Sequence, residues 1–380
     1  MIGIILSNFG FWFNLLIPFL VGLFFFLRGK EYTLEEFGLQ IFGTVIIILI
    51  MYLILFSTTK DLDDKNYINS RLANVQYHEE WTELVTYQEN YPCGKSTCTR
   101  TKTRHDYHPS FYRVQAEDSY QENITKEQFK NLYGKYVASV NETSPYRPDR
   151  ISIGDGKIFY YYLNKDSMIT RSESYINYVV AANMNILNAK VDENEIVSGI
   201  KSGNLLKYPE LKIVNFEKGL TPRVSVSSGV KLEEKTLDSL YKQIYDLNLK
   251  YSSTKQANIL LYITDQDRTF FETLRYYWKN GKKNDIIIVT SIDKGNNIVW
   301  TDVITYTDNI NFVVDVQNIK GKIENILVEF EKVLPEFKRK PMEDFKYLSE
   351  NIELDTEWNL LIILINLIFS AFAFRYFHKN

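Results

Sequence analysis

The chain has 380 residues, and its 44 lysines and arginines nearly balance 47 aspartates and glutamates, which gives a formal net charge of −3 at pH 7. This balance leaves no overall basic field, so the composition does not favour a nucleic-acid partner. Two cysteines are too few for a fold built on several disulfides.

Three apolar blocks predict membrane-crossing helices. They occupy residues 1–28, 37–57 and 358–375, and each comes close to the roughly 20 apolar residues that cross a bilayer as a helix. A cleaved signal peptide is the alternative for the first block, but such a peptide has a basic start and a shorter apolar run. The sequence therefore predicts a membrane-anchored α+β protein with three transmembrane helices.

Basic residues beside these blocks predict the orientation of the chain in the membrane. Arg28 and Lys30 lie between the first two blocks, and Arg375 and Lys379 follow the third. Short loops that are rich in lysine and arginine stay in the cytoplasm. Residues 57–357 are therefore expected to be extracytoplasmic, and periplasmic if the host is Gram-negative.

Residues 58–195 predict a β-rich outer domain. Its polar start, TTKDLDDKNYINS, is typical of a short stalk, and the aromatic and β-branched runs that follow are typical of strands. These runs lie in RLANVQYHEEWTELVTYQEN, SFYRVQAED, GKIFYYYLN and ITRSESYINYVVAA. Residues 196–229 are marked by glycine and proline and predict an irregular connector.

Two neighbouring cysteines predict a disulfide at the tip of a hairpin. Cys93 and Cys98 enclose a short loop, and nearby thiols outside the cytoplasm tend to oxidise. A zinc site that adds His105 and His108 to the cysteines is one alternative, and a pair of free thiols is another. The GKS in this loop is not a P-loop, because Glu89 stands at the first glycine position.

Basic side chains crowd the same segment. Lys95, Arg100, Lys102 and Arg104 form a basic loop beside several aromatic residues. Such a loop is expected to contact anionic lipid headgroups or an acidic partner. A solvated hairpin tip without a partner is the alternative.

Residues 230–352 alternate between helical and strand patterns. In chain order they predict a helix, a strand, a helix, two strands and a helix, which is typical of a layered α/β domain. The apolar runs ILLYI and IIIV predict central strands that are buried on both faces. Phe270, Leu274 and Trp278 share one helical face, so their helix is expected to pack on the sheet.

This region resembles the TPM domain, which is found in membrane-anchored proteins outside the cytoplasm. The residues that carry the resemblance precede the strand IIIVTSID and are Trp278, Gly281, Lys282, Lys283, Asn284 and Asp285. The whole chain also resembles uncharacterised three-span membrane proteins of tailed phages and bacteria. This wider resemblance implies an architecture and no activity.

Catalytic motifs are incomplete in the sequence. HEEW at His78 begins like a zinc-protease motif, but Thr82 stands where the second histidine is required. Near the predicted strand ends, where α/β sheets place ligands, lie Asp265, Asp267, Asp285 and Asp293. They form a candidate site for Ca²⁺, Mg²⁺ or a partner, with helix capping and turn formation as the alternatives. Asp285 and Asp293 are expected at the surface, where replacing them leaves folding nearly intact.

The sequence as a whole predicts a membrane-anchored, extracytoplasmic binding or scaffold protein that is not an enzyme and needs no cofactor. Its expected partners are the lipid bilayer and a membrane or envelope protein. The alternative function is that of a weak phosphohydrolase, which depends on a divalent metal and uses the acidic residues of the TPM-like domain.

Overall fold

The computed structural model describes residues 5–6, 9–27, 34–59, 62–94, 96–132, 149–153, 156–162, 167–182, 191–209, 211 and 223–377. Within these ranges the chain is a mixed α+β protein with a β-rich region. Among the residues introduced above, four lie outside the described residues, namely Arg28, Lys30, Lys95 and Lys379.

The described helices and strands are numbered here in chain order. The helices are α1 Phe9–Leu27, α2 Leu34–Thr59, α3 Lys126–Leu132, α4 Tyr178–Ala181, α5 Glu193–Lys201, α6 Glu234–Lys255, α7 Thr269–Tyr277, α8 Ile310–Gln317, α9 Ile326–Val333 and α10 Thr356–Phe377. The strands are β1 Asp63–His78, β2 Trp81–Cys93, β3 Ser96–His108, β4 Phe111–Ala116, β5 Gln121–Ile124, β6 Asp149–Ile153, β7 Gly156–Tyr162, β8 Met168–Ile176, β9 Val224–Val226, β10 Asn258–Thr264, β11 Asp285–Ile292 and β12 Ile298–Thr305. Short 3₁₀ segments lie at Ile323–Asn325, Leu334–Glu336 and Met342–Asn351.

Three apolar helices, α1, α2 and α10, pack against one another. In the described part of the chain one of them is long and apolar enough to cross a membrane, namely Glu35–Thr59 within α2, with 25 residues and a mean hydropathy of 2.7. The apolar stretches of the other two, Phe9–Phe24 and Thr356–Phe372, are shorter. The structure thus supports one candidate span near the N-terminus, whereas the sequence predicts three.

A buried tyrosine joins the three apolar helices through hydrogen bonds. The hydroxyl of Tyr52 in α2 donates to Asn359 Oδ1 in α10 at 2.8 Å and accepts from Asn14 Nδ2 in α1 at 3.1 Å. Gly22 lets α1 approach α2 closely, because a Cβ atom at this position would lie 2.4 Å from the ring of Phe37. Both features are typical of helix packing in membranes, where small residues and interhelical hydrogen bonds hold helices together.

The helix bundle and the residues between α2 and α10 share one hydrophobic core. Phe56 of α2 and Ile362 of α10 belong to the same buried cluster as Val179, Tyr306 and Leu348, which lie between those helices in the chain. The region between α2 and α10 is therefore packed on one end of the bundle.

Strand β1 leads from the bundle into the β-rich region. Its residues 63–71 pair antiparallel with β8, and its residues 72–78 pair antiparallel with β4 and β7. The main sheet has the order β5-β4-β1-β7-β6. Residues 63–70 of the segment predicted as a stalk are thus part of a strand, and Asn66 and Asn69 among them are buried.

The second half forms a four-stranded sheet in the order β12-β11-β10-β9. Strands β9, β10 and β11 are parallel, and β12 is antiparallel. Every residue of β10 and β11 is buried, which confirms the prediction from their apolar runs. Leu240 and Ile244 of α6 cover one face, and Leu274 of α7 and the adjacent Trp278 cover the other. The described part of the predicted connector contributes the end of α5 and strand β9.

Candidate functional site

A long hairpin arm extends from the main sheet. The ladder between β1 and β4 ends at the pair His78↔Phe111, and after two residues on each strand β2 and β3 continue it. They form thirteen consecutive pairs, from Trp81↔His108 to Cys93↔Ser96. Within the described part of the chain, this ribbon forms a two-stranded sheet of its own. Its length is about 40 Å at the usual rise of a strand.

A disulfide closes the tip of the arm, as the sequence predicts. Cys93 and Cys98 are bonded across a Cα–Cα distance of 5.7 Å, which is within the normal range for a disulfide. Gly94 forms the turn in the left-handed region, with φ at +71°. The bond lies between the last ladder pairs and therefore holds the ends of both strands together.

The geometry of β3 does not bring the residues of the alternative zinc site together. Both sulfur atoms are consumed by the disulfide. His105 lies seven residues beyond Cys98 on an extended strand, which separates their Cα atoms by about 23 Å. A tetrahedral metal site needs all its ligands within about 2.0–2.3 Å of one ion.

The two faces of the arm differ in composition. Paired residues of an antiparallel ladder lie on the same face, and successive residues alternate between faces. The face called here the charged face consists of Trp81, Glu83, Val85, Tyr87, Glu89, Tyr91, Cys93, Ser96, Cys98, Arg100, Lys102, Arg104, Asp106 and His108. The opposite face, called the threonine face, consists of Thr82, Leu84, Thr86, Gln88, Asn90, Pro92, Thr97, Thr99, Thr101, Thr103, His105 and Tyr107.

The threonine face carries no lysine, arginine, aspartate or glutamate in the thirteen ladder pairs, and all its residues are exposed. The sequence prediction missed this asymmetry. Its signal is the alternation TCTRTKTR at residues 97–104, which places threonines on one face and Cys98 and the basic residues on the other.

On the charged face the basic side chains are paired within the arm. Glu89 forms ion pairs with Arg100 at 2.6 Å and with Lys102 at 2.7 Å. Arg104 forms an ion pair with Asp106 at 2.9 Å. The hydrogen bonds from Lys102 and Arg100 hold the pKa of Glu89 below its usual range. The guanidinium groups of Arg100 and Arg104 also lie over tyrosine rings, at 5.2 and 5.9 Å.

This pairing bears on the predicted basic loop, whose contact with anionic lipid headgroups or an acidic partner stays a prediction. The described residues of the arm comprise three bases, Arg100, Lys102 and Arg104, and three acids, Glu83, Glu89 and Asp106. Their formal charges cancel, and Lys95, which lies outside the described residues, adds one positive charge to residues 81–108.

The base of the arm is stiffened by stacked rings. Trp81 stacks on His108 with ring centroids 4.2 Å apart, and His78 stacks on Phe111 at 4.1 Å. Burial, and then the charge of Arg113, lowers the pKa of His78 to about 4. His78 is thus a neutral packing residue near neutral pH.

The four aspartates of the predicted ion site do not form one site. Asp265 and Asp293 follow the parallel strands β10 and β11 and line the same cavity at one edge of the sheet. Asp285 is the first residue of β11 and therefore lies at the opposite edge. The described residues contain no group of three or more histidines, cysteines, aspartates or glutamates that could hold a metal ion.

Two of these aspartates organise local backbone. Asp267 accepts from the backbone N–H of Thr269 at 2.9 Å at the start of α7. Asp293 accepts from the backbone N–H groups of Gly295 and Asn297, both at 2.8 Å. Hydrogen bonds from the side chains of Thr269 and Asn297, and then these backbone bonds, lower the pKa of Asp267 and Asp293, respectively. Helix initiation and turn formation account for their positions.

The prediction that Asp285 is a surface residue is wrong. Its side chain is 1% exposed and accepts hydrogen bonds from Tyr208 Oη at 2.6 Å, Asn258 Nδ2 at 3.0 Å and the backbone N–H of Lys282 at 2.6 Å. Burial outweighs these bonds and raises its pKa to about 6. Asp285 is therefore part of the core.

Buried polar groups join the main sheet to the four-stranded sheet. Asn69 of β1 donates to Asn258 Oδ1 of β10 and to Asn248 Oδ1 of α6, both at 3.1 Å. The guanidinium of Arg223 donates to Asn69 Oδ1 and Thr170 Oγ1, both at 2.8 Å. Burial lowers the pKa of Arg223 to about 10. Buried donors and acceptors that satisfy one another fix the relative position of the sheets.

A cavity of about 790 Å³ lies between α7, β12, α8 and the 3₁₀ segment Met342–Asn351. Asp302 in its wall is 5% exposed and pairs with Arg268 at 2.9 Å. Gln317 Nε2 donates to the other carboxylate oxygen at 3.0 Å. The charge of Asp302 is thus already balanced by protein groups.

No family model, curated protein or solved structure matches the chain. The structural features described above are therefore the basis for assigning a function. Of these features, the arm has both the exposure and the chemical asymmetry of a binding element.

Proposed function

We propose that the chain is a membrane-anchored, extracytoplasmic binding or scaffold protein of phage or bacterial type that uses the hairpin arm to reach a membrane or envelope protein. The observation that carries this proposal is the course of β1. Helix α2 ends at Thr59 and β1 begins at Asp63, so three residues lie between them. Strand β1 ends at His78, at the base of the arm.

The distribution of side chains supports three membrane-crossing helices. Large apolar side chains face outward on all three helices, among them Phe13, Leu20, Phe42, Ile50, Leu364 and Phe372. Polar side chains lie inside the bundle, among them Asn14, Gln40, Thr44, Tyr52, Asn366 and Ser370. This is the reverse of a soluble helical bundle, and it is the arrangement that a hydrocarbon environment favours.

The disulfide and the flanking charges support the orientation. A disulfide persists in an oxidising compartment outside the cytoplasm. Arg28 and Lys30 between the first two helices, Arg375 near the end of α10 and Lys379 after it favour the cytoplasmic side for those segments by the positive-inside rule. The end of the bundle from which β1 starts then faces outward.

The reach of the arm follows from strand lengths. Strand β1 has 16 residues and β2 has 13. At the usual rise per residue their contour lengths are about 50 and 40 Å. The tip is thus about 90 Å from the bundle along the chain, which suits a partner beyond the lipid surface better than the headgroups of the same bilayer.

The residues that carry the TPM resemblance have structural contacts that fit a scaffold. Trp278 Nε1 donates to Leu206 O at 2.8 Å. Lys282 donates its backbone N–H to Asp285, and its ammonium pairs with Asp64 of β1. We propose a TPM-like domain whose motif joins the second sheet to the strand that carries the arm. Since Asp285 is buried and apart from Asp265 and Asp293, the four aspartates do not provide the shared metal site on which the alternative phosphohydrolase depends.

Deletion of the arm tests this function. In the variant, a Gly-Ser-Gly turn replaces residues 81–108, and the β1–β4 ladder is retained. We expect the variant to stay in membranes after alkaline carbonate washing and to lose the proteins that co-purify with the full chain. Release by carbonate would refute the anchoring, and an unchanged set of co-purifying proteins would refute the binding role of the arm.

A further inference from the structure

We infer that the threonine face is a self-association surface, on which the arm of a second copy of this chain docks. The inference rests on the proposed membrane anchoring, which brings copies together in the same orientation. It identifies one partner of the arm as the chain itself.

The composition of the threonine face suits an identical copy. Charged residues make up 24% of the chain, yet none of the residues of this face is a lysine, arginine, aspartate or glutamate. A charged partner would find no complementary charge there. A copy of the same face brings no like-charge repulsion, which elsewhere on a surface disfavours self-association.

Exposed apolar groups on this face are a second argument. Leu84 is 58% exposed and Tyr107 is 62% exposed, and they lie on the same side of the ribbon as the threonine methyl groups. A two-stranded ribbon with uncovered apolar groups and free edges is an association hazard unless a partner covers it. The charged face also exposes Tyr87 and Tyr91, at 39% and 37%, but the guanidinium groups of Arg104 and Arg100 lie over their rings.

Membrane anchoring fixes the symmetry of the pair. Two copies in one membrane point their arms in the same direction, so a two-fold axis along the arms places the two threonine faces opposite each other. In this arrangement β3 of one copy lies over β2 of the other. Thr101 then faces Gln88 of the second copy, at the same height at which the two residues pair within one arm.

The size of the surface predicts a weak pair that needs the membrane. The face is about 40 Å long and about 10 Å wide, so two copies bury about 800 Å², which is below the 1,200–2,000 Å² of stable complexes. Confinement to a membrane raises the effective concentration of the arms and compensates for this small area. Pairing leaves both charged faces on the outside, available to another partner.

Cysteine cross-linking in vesicles tests the inference. The purified full chain is reconstituted into phosphatidylcholine vesicles and treated with a short bis-maleimide, which does not react with the disulfide-bonded Cys93 and Cys98. Gln88→Cys and Thr101→Cys report on the threonine face. Tyr87→Cys is the matched control, because it is the exposed neighbour of Gln88 on the charged face.

We expect dimers from Gln88→Cys and Thr101→Cys and about tenfold fewer from Tyr87→Cys. Thr103→Glu, added to Gln88→Cys, puts like charges on the paired faces and is expected to reduce the dimer about tenfold or more. Thr103→Ser should retain it. The inference would be overturned by equal dimer yields from cysteines on the two faces or by the absence of dimers in vesicles. It would also be overturned if Thr103→Glu left the dimer yield unchanged in a variant whose Tm is unchanged. Failure of the chain to enter vesicles would instead refute the proposed anchoring.

Discussion

At the scale of single residues, burial decides what Asp285 does. The carboxylate lies at the start of β11 and receives three hydrogen bonds, one of them from Tyr208 in the segment before β9. Asp293 at the other end of the same strand is exposed and shapes a turn. Two aspartates that look alike in sequence thus have different roles, and their replacement should have different effects.

Asp285→Asn is expected to lower the free energy of unfolding by about 2–3 kcal/mol, because an amide cannot accept all three hydrogen bonds and leaves a buried donor unsatisfied. Thermal unfolding of the full chain in detergent measures this loss. Asp293→Asn is the matched control, and a change within about 0.5 kcal/mol is expected at this exposed turn. Equal effects of the two substitutions would contradict the assignment of Asp285 to the core.

The same residue predicts a pH dependence of stability. Burial raises the pKa of Asp285 from 3.8 to about 6. The folded state therefore binds this proton more tightly than the unfolded state, so the residue stabilises the fold below about pH 4 and loses that contribution as the pH rises through about 6. The difference in unfolding free energy between the natural chain and Asp285→Asn should be larger at pH 4 than at pH 7. A difference that grows with pH would show the opposite shift.

At the scale of elements, the arm depends on local contacts. An isolated two-stranded hairpin is marginally stable in water. The arm adds cross-strand ion pairs, stacked rings at its base and a disulfide at its tip. Each of these acts on the ladder itself, since the ladder residues are exposed or only partly covered.

Replacing both Cys93 and Cys98 with serine should therefore loosen the arm and leave the rest of the fold intact. The closed loop is short, so its loss is expected to destabilise the tip by about 2 kcal/mol. Hydrogen exchange should accelerate at residues 88–101 while the Tm of the chain stays nearly constant. The natural chain treated with a reductant provides the control. A large drop in Tm would mean that the arm packs on the core.

Trp278 tests how α7 is joined to the sheet. The residue is 5% exposed, its ring contacts Tyr208 and Tyr262 edge-on, and its Nε1 donates to Leu206 O. Trp278→Ala is expected to cost about 3–5 kcal/mol in unfolding free energy, as for other large buried aromatic residues. Trp278→Phe retains the ring contacts and should cost less. A silent Trp278→Ala in thermal unfolding would contradict this packing.

At the scale of the whole molecule, local patterns and long-range contacts differ in how far sequence predicts them. The apolar runs of β10 and β11 and the spacing that places Trp278 on the sheet are local, and the structure confirms both. The burial of Asp285 depends on Tyr208 and Asn258, which are distant in the chain. The pairing of residues 63–71 with β8 is also long-range, which is why a polar strand resembled a stalk.

The function proposed here depends on one arrangement of the whole molecule, in which helices in a membrane carry the arm on the outside. Labelling of a single thiol tests this arrangement most directly. Thr101→Cys introduces one reactive cysteine on the exposed threonine face, because Cys93 and Cys98 are bonded to each other. Labelling after permeabilisation is the internal control. We predict that a membrane-impermeant maleimide labels Thr101→Cys equally in intact and in permeabilised spheroplasts, whereas labelling only after permeabilisation would contradict the account.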